Sequence, residues 1–214
     1  LDFFAGSATT AEAVIKFNNE NKTNHKFIMV QLDEPTNIKS EGFKMGYKTI
    51  SELSRERVRR ATLVLKNKEN IDNNLGFRSL RIDSTNMSEV YYNPEKINQE
   101  DMFAQVEKIK EDRTDEDLLF QVLLDWGVGL TLPISKQQLS SKDVFFVNAN
   151  EDGEGADLIA CFGKDISNEL IKTLAEKQPL RVVFRDDGFA NDSVKINVEQ
   201  IFKQISPMTD VKSI

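Results

Sequence analysis

The chain has 214 residues, 39% of them hydrophobic and 29% charged, with a formal net charge of −7, an ordinary composition for a globular protein long enough to bury a real core. No apolar run approaches the roughly 18–20 residues of a membrane span, and Leu1-Asp2-Phe3-Phe4 lacks the basic start and apolar stretch of a signal peptide. One cysteine, Cys161, excludes an intramolecular disulfide, and with one histidine, His25, it can build neither a Cys/His zinc site nor a ready Ser-His-Asp or Cys-His centre.

Leu1–Ala5 is apolar and aromatic and reads as a buried strand, broken by Gly6-Ser7. An opening on a strand, without methionine, is the expectation for a piece of a larger protein. Thr9–Phe17 has helical spacing, with Ala11, Val14 and Ile15 on one face. The polar loop Asn18–His25, where His25 is expected to be exposed, leads to Lys26–Leu32, a continuous apolar run suited to a buried parallel strand. This β-α-β pattern sets the turn after the first strand at the carboxyl edge of a parallel sheet, where open α/β folds bind ligands.

Ile50–Asn67 predicts a helix and Leu75–Asp83 a strand. Residues 84–117 are polar, with a charged helical stretch near 99–112, and form an expected connection. Beyond it, Leu118–Trp126 predicts an apolar helix ending at Gly127. Strand-like runs follow at Val144–Val147, Leu158–Phe162 and Leu180–Arg185, with helices at Ser167–Lys177 and Asp192–Ile205 and a final short strand at Asp210–Ile214. The fold class is therefore α/β, divided into residues 1–83, a connection 84–117, and a small α/β domain 118–214. Charge divides similarly: residues 1–81 hold 14 of the 28 basic and 10 of the 35 acidic residues. Only that half suits a phosphate backbone.

The most informative stretch is Asp2-Phe3-Phe4-Ala5-Gly6-Ser7-Ala8-Thr9-Thr10. A glycine directly after a strand permits positive φ and close approach of a ligand, the small Ala5, Ser7 and Ala8 keep the site open, and the next helix offers free N–H groups to an anion. Gly6 is its only glycine, so this is no dinucleotide fingerprint, and no G-K-[ST] follows to make a P-loop. Read alone, the stretch is equally a structural strand-to-helix turn.

It resembles the D-x-F-x-G-x-G-T-T motif that binds S-adenosylmethionine in amino-methyltransferases. Lys26–Glu34, Gly46–Ala61, Gly76–Asn86 and Leu180–Ile201 also resemble, in the same order, the modification subunit of type III restriction-modification systems. That resemblance implies a Rossmann-like methyltransferase half-sheet (1–83) followed by a C-terminal α/β assembly domain, and the activity of a cytoplasmic DNA adenine-N6 methyltransferase. Its cofactor would be S-adenosylmethionine and its partners DNA, a restriction subunit and a second modification subunit.

Carried over by position, Asp2, Phe4, Ala5, Gly6 and Ser7 would form the cofactor site with Ala8, Thr9 and Thr10. Gln31 falls where many methyltransferases place an acidic residue on the ribose hydroxyls. Ala8 replaces the family's second glycine, which costs on the order of 1 kcal/mol if that position needs positive φ. The family's (D/N/S)-P-P-(Y/F/W) catalytic motif is absent, since none of the five prolines is followed by another. The chain is therefore expected to have no catalytic residue and no metal site, and not to methylate by itself. The alternative is a non-catalytic dimerisation or interaction module with a vestigial cofactor pocket.

Three further features have competing readings. Arg55 and Arg59 share a helix face at i,i+4 and are candidate DNA-phosphate contacts, with Arg57 and Arg60 nearby. Such runs are more often solvated faces with local ion pairs, for instance Glu56 with Arg60. Asp186-Asp187-Gly188 reads as a turn rather than an acid-base or metal pair. Trp126, Phe145 and Phe146 read as core or interface.

Overall fold

The computed structural model describes residues 1–69, 76–88 and 109–214. Leu75 and residues 99–108 of the predicted charged helix lie outside them. The chain forms two compact units, Leu1–Ile82 and Asp83–Ile214. No helix among the described residues is long and apolar enough to cross a membrane.

The first unit is built on two helices, α1 (Thr9–Asn21) and α3 (Ile50–Glu69), with a one-turn α2 (Glu41–Lys44) between them. Ala11 and Ile15 of α1 pack on Val58 and Leu65 of α3, and the Ala8 methyl and the partly buried Phe27 and Met29 complete this small core. A threonine–glutamate capping box starts α3. Thr49 Oγ1 accepts from the Glu52 N–H at 3.3 Å, and Glu52 Oε2 accepts from the Thr49 N–H at 3.3 Å.

The predicted strands of this unit need correcting. Leu1–Ala5 and Lys26–Leu32 run side by side in parallel but share only the Asp2–Met29 bridge. Three backbone bonds join them: Asp2 N to Ile28 O, Val30 N to Asp2 O and Ala5 N to Val30 O. Among the described residues no third segment extends this ladder, and residues 76–83 form no strand. A parallel pair makes regular strands when both faces are covered; here Phe4 is 91% and Leu32 71% exposed.

The second unit is a three-layer α/β structure. Its sheet holds β1 (Ile134–Leu139), β2 (Lys142–Val147), β3 (Leu158–Cys161), β4 (Arg181–Phe184) and β5 (Asp210–Ser213), in that spatial order. β1, β2 and β3 pair antiparallel, while β3, β4 and β5 pair parallel. The parallel pairs require crossovers, supplied by α5 (Asn168–Glu176) and α6 (Asp192–Ile205).

Alternate residues of the sheet face opposite layers. Phe146, Ile159, Cys161, Val182 and Phe184 pack against α5 and α6 through Leu170, Leu174, Val198 and Phe202. Phe145, Val147, Leu158, Ala160 and Val183 pack against Leu118, Leu119, Val122 and Leu123 of α4 (Asp115–Asp125). Phe145 and Phe146 are thus core residues, and Lys212 Nζ lies 4.6 Å from the Trp126 ring centroid. Cys161 lies in the sheet interior, where burial pushes its thiol pKa up.

The sequence reading missed β1 and started α4 three residues late. Asp186–Gly188 is a 3₁₀ turn, as read, with Arg185 forked onto the Asp187 carboxylate. Gly188 is required there because a Cβ would stand 2.6 Å from the Gly163 carbonyl oxygen.

Candidate functional site

The parallel pairing of Asp2 with Met29 brings the ends of both segments to one edge, where Gly6 follows the first and Gln31 closes the second. Asp2 braces the turn from beneath. Its Oδ1 accepts from the Phe4 N–H at 3.0 Å and its Oδ2 from the Thr10 hydroxyl at 2.8 Å. The Phe4 N–H first, and the Thr10 hydroxyl second, hold the Asp2 carboxyl below its usual range.

The turn itself is left-handed at two residues, Gly6 at φ +52° and Ala8 at φ +60°. A side chain on Gly6 would meet little, its nearest neighbour being the Phe4 carbonyl oxygen at 3.9 Å. The backbone angle, not space, favours glycine at that position. The Gly6 N–H donates to Gln31 Oε1 at 2.8 Å, and its carbonyl accepts from the Ser54 hydroxyl of α3. Ala8 is the N-cap of α1 and supplies no side-chain cap. The first-turn N–H groups of α1 therefore lack the side-chain oxygen that usually covers them.

Arg57, on the face of α3 that carries Ser54, reaches the same turn. Its Nε donates to Glu12 Oε2 at 2.7 Å, and one Nη donates to Ser7 Oγ at 2.7 Å and Thr9 Oγ1 at 3.0 Å. Glu12 also holds Lys16 at 2.6 Å. Lys16, then Arg57, lower the Glu12 carboxyl pKa. Asp2, Gly6, Ser7, Ala8, Thr9, Thr10 and Gln31 thus lie in one connected turn, and Phe4 projects outward. The Gln31 amide is engaged within the protein, its Nε2 donating to Leu32 O at 3.1 Å.

Sequence reasoning missed Ser54, Glu12 and the role of Arg57. Arg57 stood inside a basic run, and nothing in its spacing points to partners 45 and 50 residues away. The neighbouring arginines behave differently. Glu56 takes two bonds from Arg59, at 2.7 and 2.6 Å, and one from Arg60 at 2.6 Å. These bonds bring the Glu56 carboxyl pKa to about 2. Asp33, just past Gln31, is held below its usual pKa by the Ser51 and Thr49 hydroxyls, with smaller pulls from Arg81 and Arg55. A cavity of about 660 Å³ runs along α1 and α3 on the side of Leu53, Ala61 and Val64, and of the predicted site residues only Ser7 lines it.

No known family profile matches the chain. Over 62 residues, 29% of its length, it is 60% identical to the Type III restriction-modification enzyme EcoP15I Mod subunit of Escherichia coli. Over 82 residues, 38% of its length, it is 42% identical to the StyLTI Mod subunit of Salmonella typhimurium. A third relative, the EcoPI Mod subunit of Escherichia phage P1, is 43% identical over 58 residues. Part of this chain is similar to part of a type III Mod subunit. The matched segments span 10%, 13% and 9% of these Mod subunits, so the chain corresponds to a small share of their length.

Proposed function

We propose that the chain is the cofactor-binding and C-terminal part of an S-adenosylmethionine-dependent DNA adenine-N6 methyltransferase of a type III restriction-modification system. The turn Gly6–Ala8 carries this reading. It joins two left-handed residues, an uncapped helix start and three hydroxyl side chains at the edge of two parallel segments. Those groups fit the cofactor: Gly6 leaves room for close approach, and the N–H groups at the start of α1 with the Ser7 and Thr9 hydroxyls suit its amino-acid carboxylate, while the Thr10 hydroxyl is held by Asp2.

Asp2, Phe4, Ala5 and Gly6 would line the methionine part, and Ser7, Ala8, Thr9 and Thr10 its carboxylate. Gln31 would meet the ribose through the second lone pair of Oε1 or the second proton of Nε2, since its amide already holds the Gly6 N–H and the Leu32 carbonyl. When bound, the cofactor supplies an electrophilic methyl group on a sulfonium. The chain's own residues bind and orient it, and nothing in the sequence supplies the proline-proline motif that would hold a flipped adenine. The Rossmann-like arrangement of the first unit, DNA as substrate and a restriction subunit and second Mod copy as partners belong to the same proposal. Arg55 and Arg59 remain candidate phosphate contacts in it.

Calorimetric titration with S-adenosylmethionine tests the reading, with Gly6→Asp as control. Micromolar binding that the control abolishes supports it, and tritium transfer to DNA by this chain should be absent. A folded chain that binds no cofactor would instead be an assembly module.

A further inference from the structure

We infer that Arg57 is a positioning residue for the Gly6–Thr9 turn, setting from α3 the direction in which the Ser7 and Thr9 hydroxyls donate; its role toward a ligand rests on the cofactor reading above. A guanidinium has donors only, so both hydroxyl oxygens accept in their bonds to Arg57. Their own protons must point elsewhere. The two oxygens are 3.4 Å apart, and if one hydroxyl donates to the other, the remaining proton still faces away from Arg57. The turn therefore presents a hydroxyl donor outward, the polarity that a carboxylate accepts from.

Glu12, which Arg57 shares with Lys16, holds the guanidinium through Nε. The Arg57 side chain is 38% exposed, so as an ion pair alone it would contribute little. Its value lies in reaching three acceptors on the turn and α1 from one planar group, which lysine cannot reproduce. Ser54, three residues earlier on α3, adds a second tie through its hydroxyl bond to the Gly6 carbonyl.

Amide hydrogen exchange by NMR on the full chain tests this with Arg57→Lys and Arg57→Ala. The Gly6 and Ala8 amides report the turn, since they donate to Gln31 Oε1 and Ala5 O in this conformation. The Ile15 and Val58 amides, inside α1 and α3, serve as reference. Exchange at Gly6 and Ala8 should rise about tenfold in both variants, with the reference amides within about twofold. Unchanged turn rates overturn the inference, as does an equal rise at the reference amides, which would make Arg57 an ordinary helix-to-helix tie. Titration with S-adenosylmethionine is the second arm. If the wild-type chain binds, both variants should bind about tenfold more weakly, and equal affinity overturns the role toward the cofactor. If the wild-type chain does not bind while turn exchange rises in the variants, the cofactor reading fails and the positioning of the turn stands.

Discussion

Ala8 holds a backbone conformation that glycine would adopt freely, φ 60° and ψ 37°. For an L-residue with a Cβ this costs roughly 1–2 kcal/mol. The methyl responsible is only 2% exposed and packs with Ala11, Ile15, Val58 and Leu65, which returns about 0.8 kcal/mol for one buried carbon. The two effects nearly offset. Ala8→Gly should therefore change stability by less than about 1 kcal/mol in urea unfolding, whereas a gain above roughly 2 kcal/mol would mean that the methyl contributes nothing. The sequence flags Ala8 through its departure from the glycine of the resembled motif. It does not reveal the φ, nor the packing that makes the alanine tolerable, because that packing comes from α3. Gln31 is similar: its place at the edge was readable, but not that its amide would engage the turn it faces.

At the scale of elements, polar starts and polar edges are what the sequence reading misses. Helix α4 begins at Asp115 because Thr114 and Asp117 form a reciprocal cap. Reading from the apolar residues alone starts it at Leu118. Thr114→Ala should cost about 1 kcal/mol, read by chemical denaturation. The Asp117 carboxyl is held below its usual pKa by the Thr114 N–H first and its hydroxyl second. Its stabilising effect is therefore present at neutral pH and is lost as pH falls through the usual carboxylate range and below. The alanine variant should lose part of that acid dependence.

Strand β1 was hidden for a related reason. I-S-K-Q-Q-L is an edge strand with little apolar content, and its two-residue turn uses Ser140 and Ser141, at φ 47° and 62°, in place of the Asn-Gly that signals such a turn. The opposite error befell Leu1–Ala5 and Lys26–Leu32. Their apolar content implies covered strands, but strand formation also depends on neighbours, which lie beyond local pattern.

For the molecule as a whole, the second unit's sheet was the most legible part. V-F-F-V, L-I-A-C and R-V-V-F are apolar without alternation, the pattern of strands covered on both faces. Phe184 sits at the centre of one layer, fully buried, with ring centroids 5.4 Å from Phe189 and 6.4 Å from Phe202. Phe184→Ala should cost about 3–5 kcal/mol, a large fraction of the stability of a typical domain, measured as a lowered denaturation midpoint. A cost under about 1 kcal/mol would contradict this packing. Strand order across the sheet could not be read in the same way, because apolar runs do not name their neighbours.

That order, β1 to β5 in both chain and space, has a kinetic consequence. Each new strand pairs with the one made just before it, so no pairing waits for a distant part of the chain. The entropy of closing each loop is that of one hairpin or one helical crossover. The sheet can grow in one direction from the β1–β2 hairpin, and a chain emerging from its N-terminus completes each pairing as the next strand appears.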